Sequence, residues 1–228
     1  LKTGILDADI YGPSLPRLLG LSEKPRSENN KLIPLCAFGL EAMSIGFLVD
    51  EDAPTIWRGP MVMSAVQQML RDVAWGDLDI LVIDMPPGTG DAQLTLSQRA
   101  DLAGAVIVST PQDLALIDAR KGLNMFRRVN VPVLGIVENM SYFVCPSCNE
   151  ISDIFGTGGA KAEAERLGLP FLGGIPLDME IRATSDAGTP IVVENFSSPH
   201  AQAYVKIAET LTAQLEKETR TGPAIIMD

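Results

Sequence analysis

Apolar positions fall into two patterns along the chain, short continuous runs and longer stretches with helical spacing. Continuous runs bounded by polar or turn-forming residues predict buried strands, and apolar residues at helical spacing predict amphipathic helices. The predicted strands are 1–7, 80–84, 104–109, 133–139 and 171–175. The predicted helices are 15–21, 62–73, 92–100, 113–129, 159–167 and 201–216. Repeated strand–helix–strand units of this length predict an α/β fold, in which helices wrap a mostly parallel sheet.

The stretch 78–91 organises the rest of the chain. Its apolar run Ile80–Ile83 predicts a strand buried on both faces, and it ends in Asp84, a carboxylate that is costly to bury without a cation. The Pro-Pro-Gly that follows predicts a tight turn, with Gly88 and Gly90 free to take positive φ. An acid at the end of such a strand, before a glycine-rich loop, indicates a nucleotide site where the acid holds the water shell of Mg²⁺. The alternative is a capping Asp before a surface turn.

A second acidic pair follows the first predicted strand. Asp7 and Asp9 stand at alternate positions before a Gly-Pro turn, so both carboxylates are expected on the same side of the fraying strand. That arrangement suits holding and deprotonating a water molecule. A capped strand end is the alternative, because Asp, Gly, Pro and Ser all favour turns.

The segment between these two acidic stretches offers weaker signals. A hairpin is predicted around Phe38-Gly39 after a polar loop over 22–31, with Cys36 as a small core residue. Trp57 and Arg58 precede the next helix and could contact a partner or ligand. The apolar stripe of that helix is expected to face the core, and it comprises Val62, Val66, Met69, Leu70 and Val73.

Composition and charge exclude several classes. The 228 residues carry a net charge of −11, which argues against nucleic acid as a main partner. No apolar stretch approaches the roughly 20 residues that span a bilayer, and no signal peptide opens the sequence. We therefore expect neither a nucleic-acid nor a membrane partner. An acidic protein that binds an anionic nucleotide also needs a local cradle of cationic groups or backbone N–H groups.

Two of the three cysteines form a CxxC sequence, Cys145-Pro-Ser-Cys148. This spacing lets both sulfur atoms face one metal, with Pro146 stiffening the turn. A complete sulfur site needs four ligands, and neither Cys36 nor His200, which is expected to cap a helix or lie at the surface, is a convincing addition. Two copies of the chain can supply four thiolates across a two-fold axis. Half of a zinc site, a redox dithiol and two ordinary loop cysteines stay open as alternatives.

Four motifs in this order resemble the Mrp/ApbC family, including its mitochondrial Nubpl-type members. They are DADIYGPS at 7–14, VIDMPPGTGD at 82–91, VENM at 137–140 and CPSC at 145–148. The resemblance implies a MinD/NifH-like P-loop ATPase of one domain over 1–218, with a CxxC insertion at 142–150 and a tail at 219–228. It further implies a homodimer that carries a bridging [4Fe-4S] cluster to apo iron–sulfur proteins, using ATP and Mg²⁺.

The resemblance also implies roles for single residues in the first half of the chain. Asp7 and Asp9 match the switch I segment, with Asp9 activating water and Asp7 beside it. Asp84 matches the Mg²⁺-linked Walker B acid, and Gly88 and Asp91 lie in switch II.

In the second half, Asn139 matches the residue that reads adenine, and the segment 174–178, with Pro176 and Asp178, matches the loop on the adenine side. Cys145 and Cys148 match the pair that bridges the cluster between subunits.

The family's Walker A loop is expected one helix before residue 1, and no GxxxxGK[ST] occurs in the 228 residues. We therefore expect a chain that lacks its first β-α unit and does not hydrolyse ATP by itself. The strand before Walker A should lie beside the Walker B strand, so 80–84 is expected to pair on one side only.

The sequence favours an ATP-dependent iron–sulfur cluster carrier. A spatial-partitioning ATPase of the MinD or ParA kind is weaker, because the tail is neither strongly basic nor helical. A zinc-stabilised interaction module is the third hypothesis. A bacterial cytoplasm is the expected compartment, with the mitochondrial matrix as the alternative.

Overall fold

The computed structural model describes residues 1–49, 59–148 and 150–220. The strands are β1 Thr3–Asp7, β2 Ser27–Glu28, β3 Lys31–Leu32, β4 Leu35–Ala37, β5 Leu40–Ser44, β6 Ile80–Asp84, β7 Ala105–Ser109, β8 Val133–Glu138, β9 Phe143–Val144, β10 Ile151–Ser152 and β11 Phe171–Gly174. The helices are α1 Leu15–Leu18, α2 Gly59–Arg71, α3 Asp91–Arg99, α4 Asp113–Arg128, α5 Gly159–Leu167, α6 Met179–Asp186, α7 Ile191–Glu194 and α8 Pro199–Arg220.

Two compact units make up the structure. The first combines Leu1–Asp101 with Arg182–Glu194, and the second combines Leu102–Ile181 with the described residues from Asn195 onward. The expected single domain over 1–218 stays a prediction. The tail was expected from residue 219, but α8 continues to Arg220. Residues 221–228 lie outside the described residues. Trp57 and Arg58 lie outside them as well.

The first unit contains a four-stranded sheet in the order β4-β5-β1-β6. The strand β1 pairs in parallel with β5 and with β6, and β4 pairs antiparallel with β5. The predicted stripe of α2 is confirmed, since its Val62, Val66 and Met69 are buried, as is Val73 just after the helix. They pack with Leu6 and Met43 of the sheet into one core.

The predicted hairpin is confirmed, but the expected burial of Cys36 is wrong. Phe38 and Gly39 form its two-residue turn, with φ of 52° and 79°. Leu35 and Ala37 pack against the core. Because alternate residues of a strand face opposite sides, Cys36 points outward and is exposed. The expected polar loop before it contains the short β2–β3 hairpin.

The strand β6 has one pairing partner, β1, within the described part of the chain. The prediction that 80–84 pairs on one side only is therefore confirmed for those residues. Burial on both faces is wrong: Leu81 and Ile83 pack against the core, whereas Val82 points to the other face and is 48% exposed. Val108 of β7 is also exposed, and β7 is the edge strand of its own sheet.

The second unit is built on an all-parallel sheet in the order β11-β8-β7. The middle strand β8 is buried from its second residue to its last. Helices α4, α5 and α8 pack on these strands, and the predicted inward residues Leu116, Leu123 and Phe126 of α4 are buried. Among the described residues, no helix is sufficiently long and apolar to span a bilayer.

A buried carboxylate joins α4 to α5. Glu163 on α5 accepts hydrogen bonds from Arg120 Nε at 2.6 Å and from Arg166 Nη2 at 2.6 Å. Its side chain is 5% exposed. The hydrogen bonds from Arg166 and then Arg120 lower the pKa of Glu163 from 4.5 to about 2. The folded state therefore favours the charged form, and this contribution to stability is present above pH 4.5 and is lost as pH falls through about 2.

We expect Glu163→Gln to lower the free energy of unfolding near neutral pH, because the amide cannot replace the doubly paired carboxylate. The difference between wild type and variant should shrink as pH falls from about 4.5 to about 2. Urea unfolding at several pH values measures it. Glu165→Gln, at an exposed position of the same helix, is the control. A pH-independent difference for Glu163→Gln would contradict the assignment.

Candidate functional site

In the first unit, three acidic residues meet where β1 and β6 end. Asp7 and Asp84 are direct neighbours in the parallel register of the two strands. Asp9 follows two residues after β1, and the negative charges of Asp7 and Asp9 both act on Asp84. The structure thus brings together the three residues that the sequence singled out as catalytic.

Asp7 is buried and satisfied by four donors. Its Oδ2 accepts hydrogen bonds from the backbone N–H groups of Ser14 and Leu15, each at 3.2 Å, and from Ser44 Oγ at 2.9 Å. Its Oδ1 accepts from the backbone N–H of Asp9 at 3.1 Å. Through these hydrogen bonds the carboxylate holds the loop 8–15 around the end of β1. Its catalytic role stays a prediction.

Asp9 is half-buried, and one of its carboxylate oxygens accepts no hydrogen bond from the residues that the structure describes. Its Oδ1 accepts hydrogen bonds from the N–H groups of Tyr11 at 3.1 Å and Gly12 at 3.3 Å. These bonds fix the orientation of the side chain and leave Oδ2 as an acceptor for water. The geometry is that of a held base, which suits the predicted orientation of a water molecule.

Asp84 lies at the exposed end of β6, and its backbone carbonyl accepts the N–H of Ala8 at 2.9 Å. Partial burial of the carboxylate, followed by the charges of Asp7 and Asp9, raises its pKa above the ordinary 3.8. A cation would relieve this repulsion, and carboxylate oxygens are the ligands that Mg²⁺ prefers. Among the described residues the three acids do not bring one oxygen each within 4.8 Å of one another.

The loop after β6 is held from inside by a glutamine that the sequence analysis missed. Gln93 on α3 is buried and donates from Nε2 to the carbonyls of Pro86 and Pro87, at 3.3 and 2.5 Å. Gly88 has the expected positive φ, 97°. Gly90, which is equally free to take positive φ, has φ −82° as the extended N-cap of α3. Asp91 is the first residue of that helix.

In the second unit, Asn139 begins a turn just beyond β8. Its backbone N–H donates to Ser109 O at 2.8 Å, and its side-chain Oδ1 accepts the N–H of Met140 at 3.0 Å. Met140 has φ 53°, which turns the chain sharply. Asn139 is half-buried, and within the described part of the chain its amide nitrogen donates no hydrogen bond, so it can serve the predicted reading of a base.

The segment Gly174–Asp178, here called the base-side loop, continues from β11. Ile175 and Pro176 are buried within it. Ile175 N–H donates to Glu138 O at 2.8 Å, and Ser141 N–H donates to Ile175 O at 2.9 Å. The loop therefore lies directly beside the turn that carries Asn139, so the residues expected on the adenine side are neighbours.

Asp178 ends the base-side loop and starts α6. Its Oδ1 accepts Glu180 N–H at 2.7 Å, an N-cap, and its Oδ2 lies 3.5 Å from His200 Nε2. His200, expected at a helix cap or the surface, is half-buried in the first turn of α8. Together with Glu180, these residues place one potential metal-ligand atom each within 4.8 Å of the others. The hydrogen bond from Glu180 N–H shows that Asp178 caps the start of α6.

The CxxC sequence forms the tip of a small hairpin, 142–152, here called the thiol hairpin, in which Asn149 is not described. Its strands β9 and β10 are antiparallel, and Cys145 N–H donates to Glu150 O at 2.9 Å. Both cysteines are free thiols, with Cys145 half-buried and Cys148 exposed. Hydrogen bonds from the backbone N–H of Ser147, and next from Cys148, lower the pKa of Cys145 below the ordinary 9.0. The thiolate, which is the metal-binding form, is therefore favoured.

A profile of the family described as "ParA: NUBPL iron-transfer P-loop NTPase" matches residues 1–212. The chain belongs to this family. An Arabidopsis thaliana member, "Iron-sulfur protein required for NADH dehydrogenase, mitochondrial", is 55% identical over 98% of this chain and 71% of the plant protein. The "Iron-sulfur cluster carrier protein" of Haemophilus influenzae is 52% identical over 99% of this chain and 62% of its own length.

A solved family-like structure supports the fold. The nucleotide-binding protein of Archaeoglobus fulgidus, in complex with ADP, has a TM-score of 0.73 and 42% identity, and it covers 86% of this chain and 76% of its own. The α/β P-loop NTPase fold and the membership of the iron-transfer family, both expected from the four motifs, are confirmed.

We expect the rate of Cys145 alkylation by iodoacetamide to rise with pH around a midpoint below the ordinary 9.0. Ser147→Pro removes the backbone N–H that contributes most, so it should move the midpoint upward. Ser147→Ala retains that N–H and is the matched control. Fragment-ion assignment by tandem mass spectrometry distinguishes Cys145 from Cys148, which lies in the same tryptic peptide, and peptide mapping separates both from Cys36. A midpoint unchanged by Ser147→Pro would contradict the stated cause.

Proposed function

We propose that this chain is part of an ATP-dependent carrier that binds a [4Fe-4S] cluster between two copies of itself and transfers it to apo iron–sulfur proteins. The observation that carries the proposal is the thiol hairpin: it presents Cys145, with a lowered pKa, and exposed Cys148 at its tip. Membership of an iron-transfer P-loop family supports the nucleotide part. The relatives named above carry iron–sulfur names, which favours this function over spatial partitioning.

Ligand counting supports the homodimer. Each hairpin offers two thiols, and Cys36 lies exposed on β4. A cubane cluster takes four thiolates, which two copies supply across a two-fold axis. An exposed tip also lets an acceptor protein reach the cluster, and hence exchange ligands with it.

The acidic residues of the first unit are assigned to nucleotide turnover. Asp9, fixed by two backbone N–H groups, orients the attacking water. Asp7 positions Asp9 and the loop 8–15 through its buried hydrogen bonds. Mg²⁺, when bound, would neutralise phosphate charge, with Asp84 holding its water shell. Gly88 and Asp91 respond to the terminal phosphate, and Asn139, Pro176 and Asp178 contact the base.

The relatives' names place one such protein in mitochondria and another in a bacterium. We accordingly propose a bacterial cytoplasm or a mitochondrial matrix as the working compartment.

Metal and sulfide analysis of anaerobically purified protein, with visible absorption and size-exclusion chromatography, tests the proposal. A brown dimer that contains iron and sulfide supports it. Stoichiometric zinc without sulfide would overturn it in favour of a zinc-stabilised interaction module.

We expect Cys145→Ser and Cys148→Ser each to abolish cluster binding and to weaken dimerisation, because each removes two of four ligands from the dimer. Cys36→Ser is the matched control and should do neither, since its side chain is exposed on β4. Iron content and elution volume report the outcome. Loss of iron in the Cys36 variant, with retention in the hairpin variants, would refute the bridging arrangement.

We expect residues 1–228 to release no phosphate from ATP, and a chain that carries an upstream Walker A segment to do so. In that longer protein, Asp9→Asn should retain nucleotide affinity and lose most of its turnover, typically by about 10²-fold or more, because it removes the group that orients water. Steady-state phosphate release and calorimetric binding of ADP separate the two effects. Magnesium-dependent turnover by the shorter chain would show that the expectation is wrong.

A further inference from the structure

The thiol hairpin and the base-side loop are hydrogen-bonded to each other. Leu177 N–H donates to Tyr142 O at 2.8 Å, and Phe143 and Leu177 form a parallel β-bridge. Just before the hairpin, Ser141 N–H donates to Ile175 O at 2.9 Å. The base-side loop thus runs beside the start of the hairpin and is joined to it by backbone hydrogen bonds, so a displacement of one backbone is expected to displace the other.

The close approach of the two segments depends on Gly174. A Cβ atom at this position would lie 2.8 Å from Ser141 Oγ and 3.0 Å from Ser141 Cβ. Real Cβ atoms do not come so close, so a side chain at position 174 would separate the loop from the stem. The base-side loop and the chain at Ser141 are therefore in close contact at this point.

Glu138 forms hydrogen bonds with the chain before the hairpin and with α5 after it. Its carboxylate accepts a hydrogen bond from Ser141 Oγ, just before the hairpin, and from the backbone N–H of Ala160, at 2.8 Å, in the first turn of α5 after the hairpin. Glu138 is 1% exposed, and no arginine or lysine among the described residues pairs with it. The positive end of α5 stabilises the charge.

A buried carboxylate is expensive to retain, and an apolar residue would suffice to fill β8. What the carboxylate adds is a connection between Ser141, just before the thiol hairpin, and Ala160, at the start of α5. The backbone carbonyl of the same residue accepts Ile175 N–H at 2.8 Å. Its neighbour in the chain, Asn139, begins the turn assigned to the base. One residue therefore contacts the base-side loop, the residue that precedes the thiol hairpin and the start of α5.

We propose that Glu138 is a positioning residue that couples nucleotide occupancy at the base-side loop to the placement of the thiol hairpin. The proposal rests on the proposed function and deepens it. When a base orders Asn139 and the loop 174–178, the hydrogen bonds through Ile175, Leu177 and Glu138 fix the stem of the hairpin. Coupling between two ligands is reciprocal. If a bound nucleotide changes the affinity for the cluster by some factor, a bound cluster must change the affinity for the nucleotide by that same factor.

The test is the ratio of ADP affinities between cluster-loaded and cluster-free protein, measured by anaerobic calorimetry on the chain that carries an upstream Walker A segment. We expect a ratio of roughly fivefold or more in the wild type. In Glu138→Leu, which fills the position and removes the acceptors of both Ser141 Oγ and Ala160 N–H, the ratio should fall to near one while cluster and ADP each still bind. Ser141→Ala removes one of these two side-chain bonds and should act in the same direction, which covers a failure of Glu138→Leu to fold.

Glu165→Leu makes the same chemical change at an exposed position of α5 and should leave the ratio unchanged. A merely structural role of Glu138 would lower both affinities and preserve their ratio. A wild-type ratio of one, or a ratio that survives in both variants, overturns the coupling and leaves the carrier function intact. Absence of cluster or ADP binding in the wild type would instead refute the proposed function itself.

Discussion

The register of parallel pairing decides which side chains can act together in each unit of this protein. In the first unit it places Asp7 beside Asp84. In the second it aligns Ser109 with Glu138, and Glu138 with Gly174. A shift by one residue would turn each of these side chains to the opposite face of its sheet. In β1 such a shift is opposed by Leu6, which is buried in the core and would turn away from it.

The role of each carboxylate in this protein depends on the groups that surround it. Glu163 is held by two arginines, which lower its pKa to about 2 and tie α4 to α5. Asp7 and Glu138 are buried among neutral N–H and O–H donors, and each folds a loop around the end of a strand. Asp84 has repulsive neighbours instead, and its raised pKa marks it as the acid that gains most from a cation.

Much of the fold follows from local patterns, because buried runs and helical stripes each have one low-energy arrangement. The strands β6, β7 and β8 and the helices α2, α4 and α5 lie where periodicity predicts them. The helices α6 and α7 were missed: α6 buries only Thr184, and α7 has four residues. Neither offers an apolar stripe that a window of sequence can detect.

The errors at single residues have a different origin. Exposure of Cys36 and Val82 depends on which face of a sheet finds a partner, and this is decided by residues distant in the chain. At the site, acids at strand ends were predictable by type, but Gln93 was not, since nothing in its neighbourhood marks a buried glutamine.

Glu138 is a residue whose type and position a local pattern can predict but whose contacts it cannot. It stands at the end of a buried strand, as Asp7 and Asp84 do, so the pattern that singled out those acids applies to it equally. Its significance emerges only when the chain returns through Ile175 and Ala160 to meet it. An insertion that carries thiols must leave the fold and rejoin it, and each junction exposes backbone polar groups that need partners. A single buried carboxylate satisfies a donor just before the hairpin and a donor at the start of α5, and the carbonyl of the same residue accepts from the base-side loop. The hydrogen bonds that join the thiol hairpin to the base-side loop thus follow from the ordinary need to satisfy buried hydrogen-bonding groups.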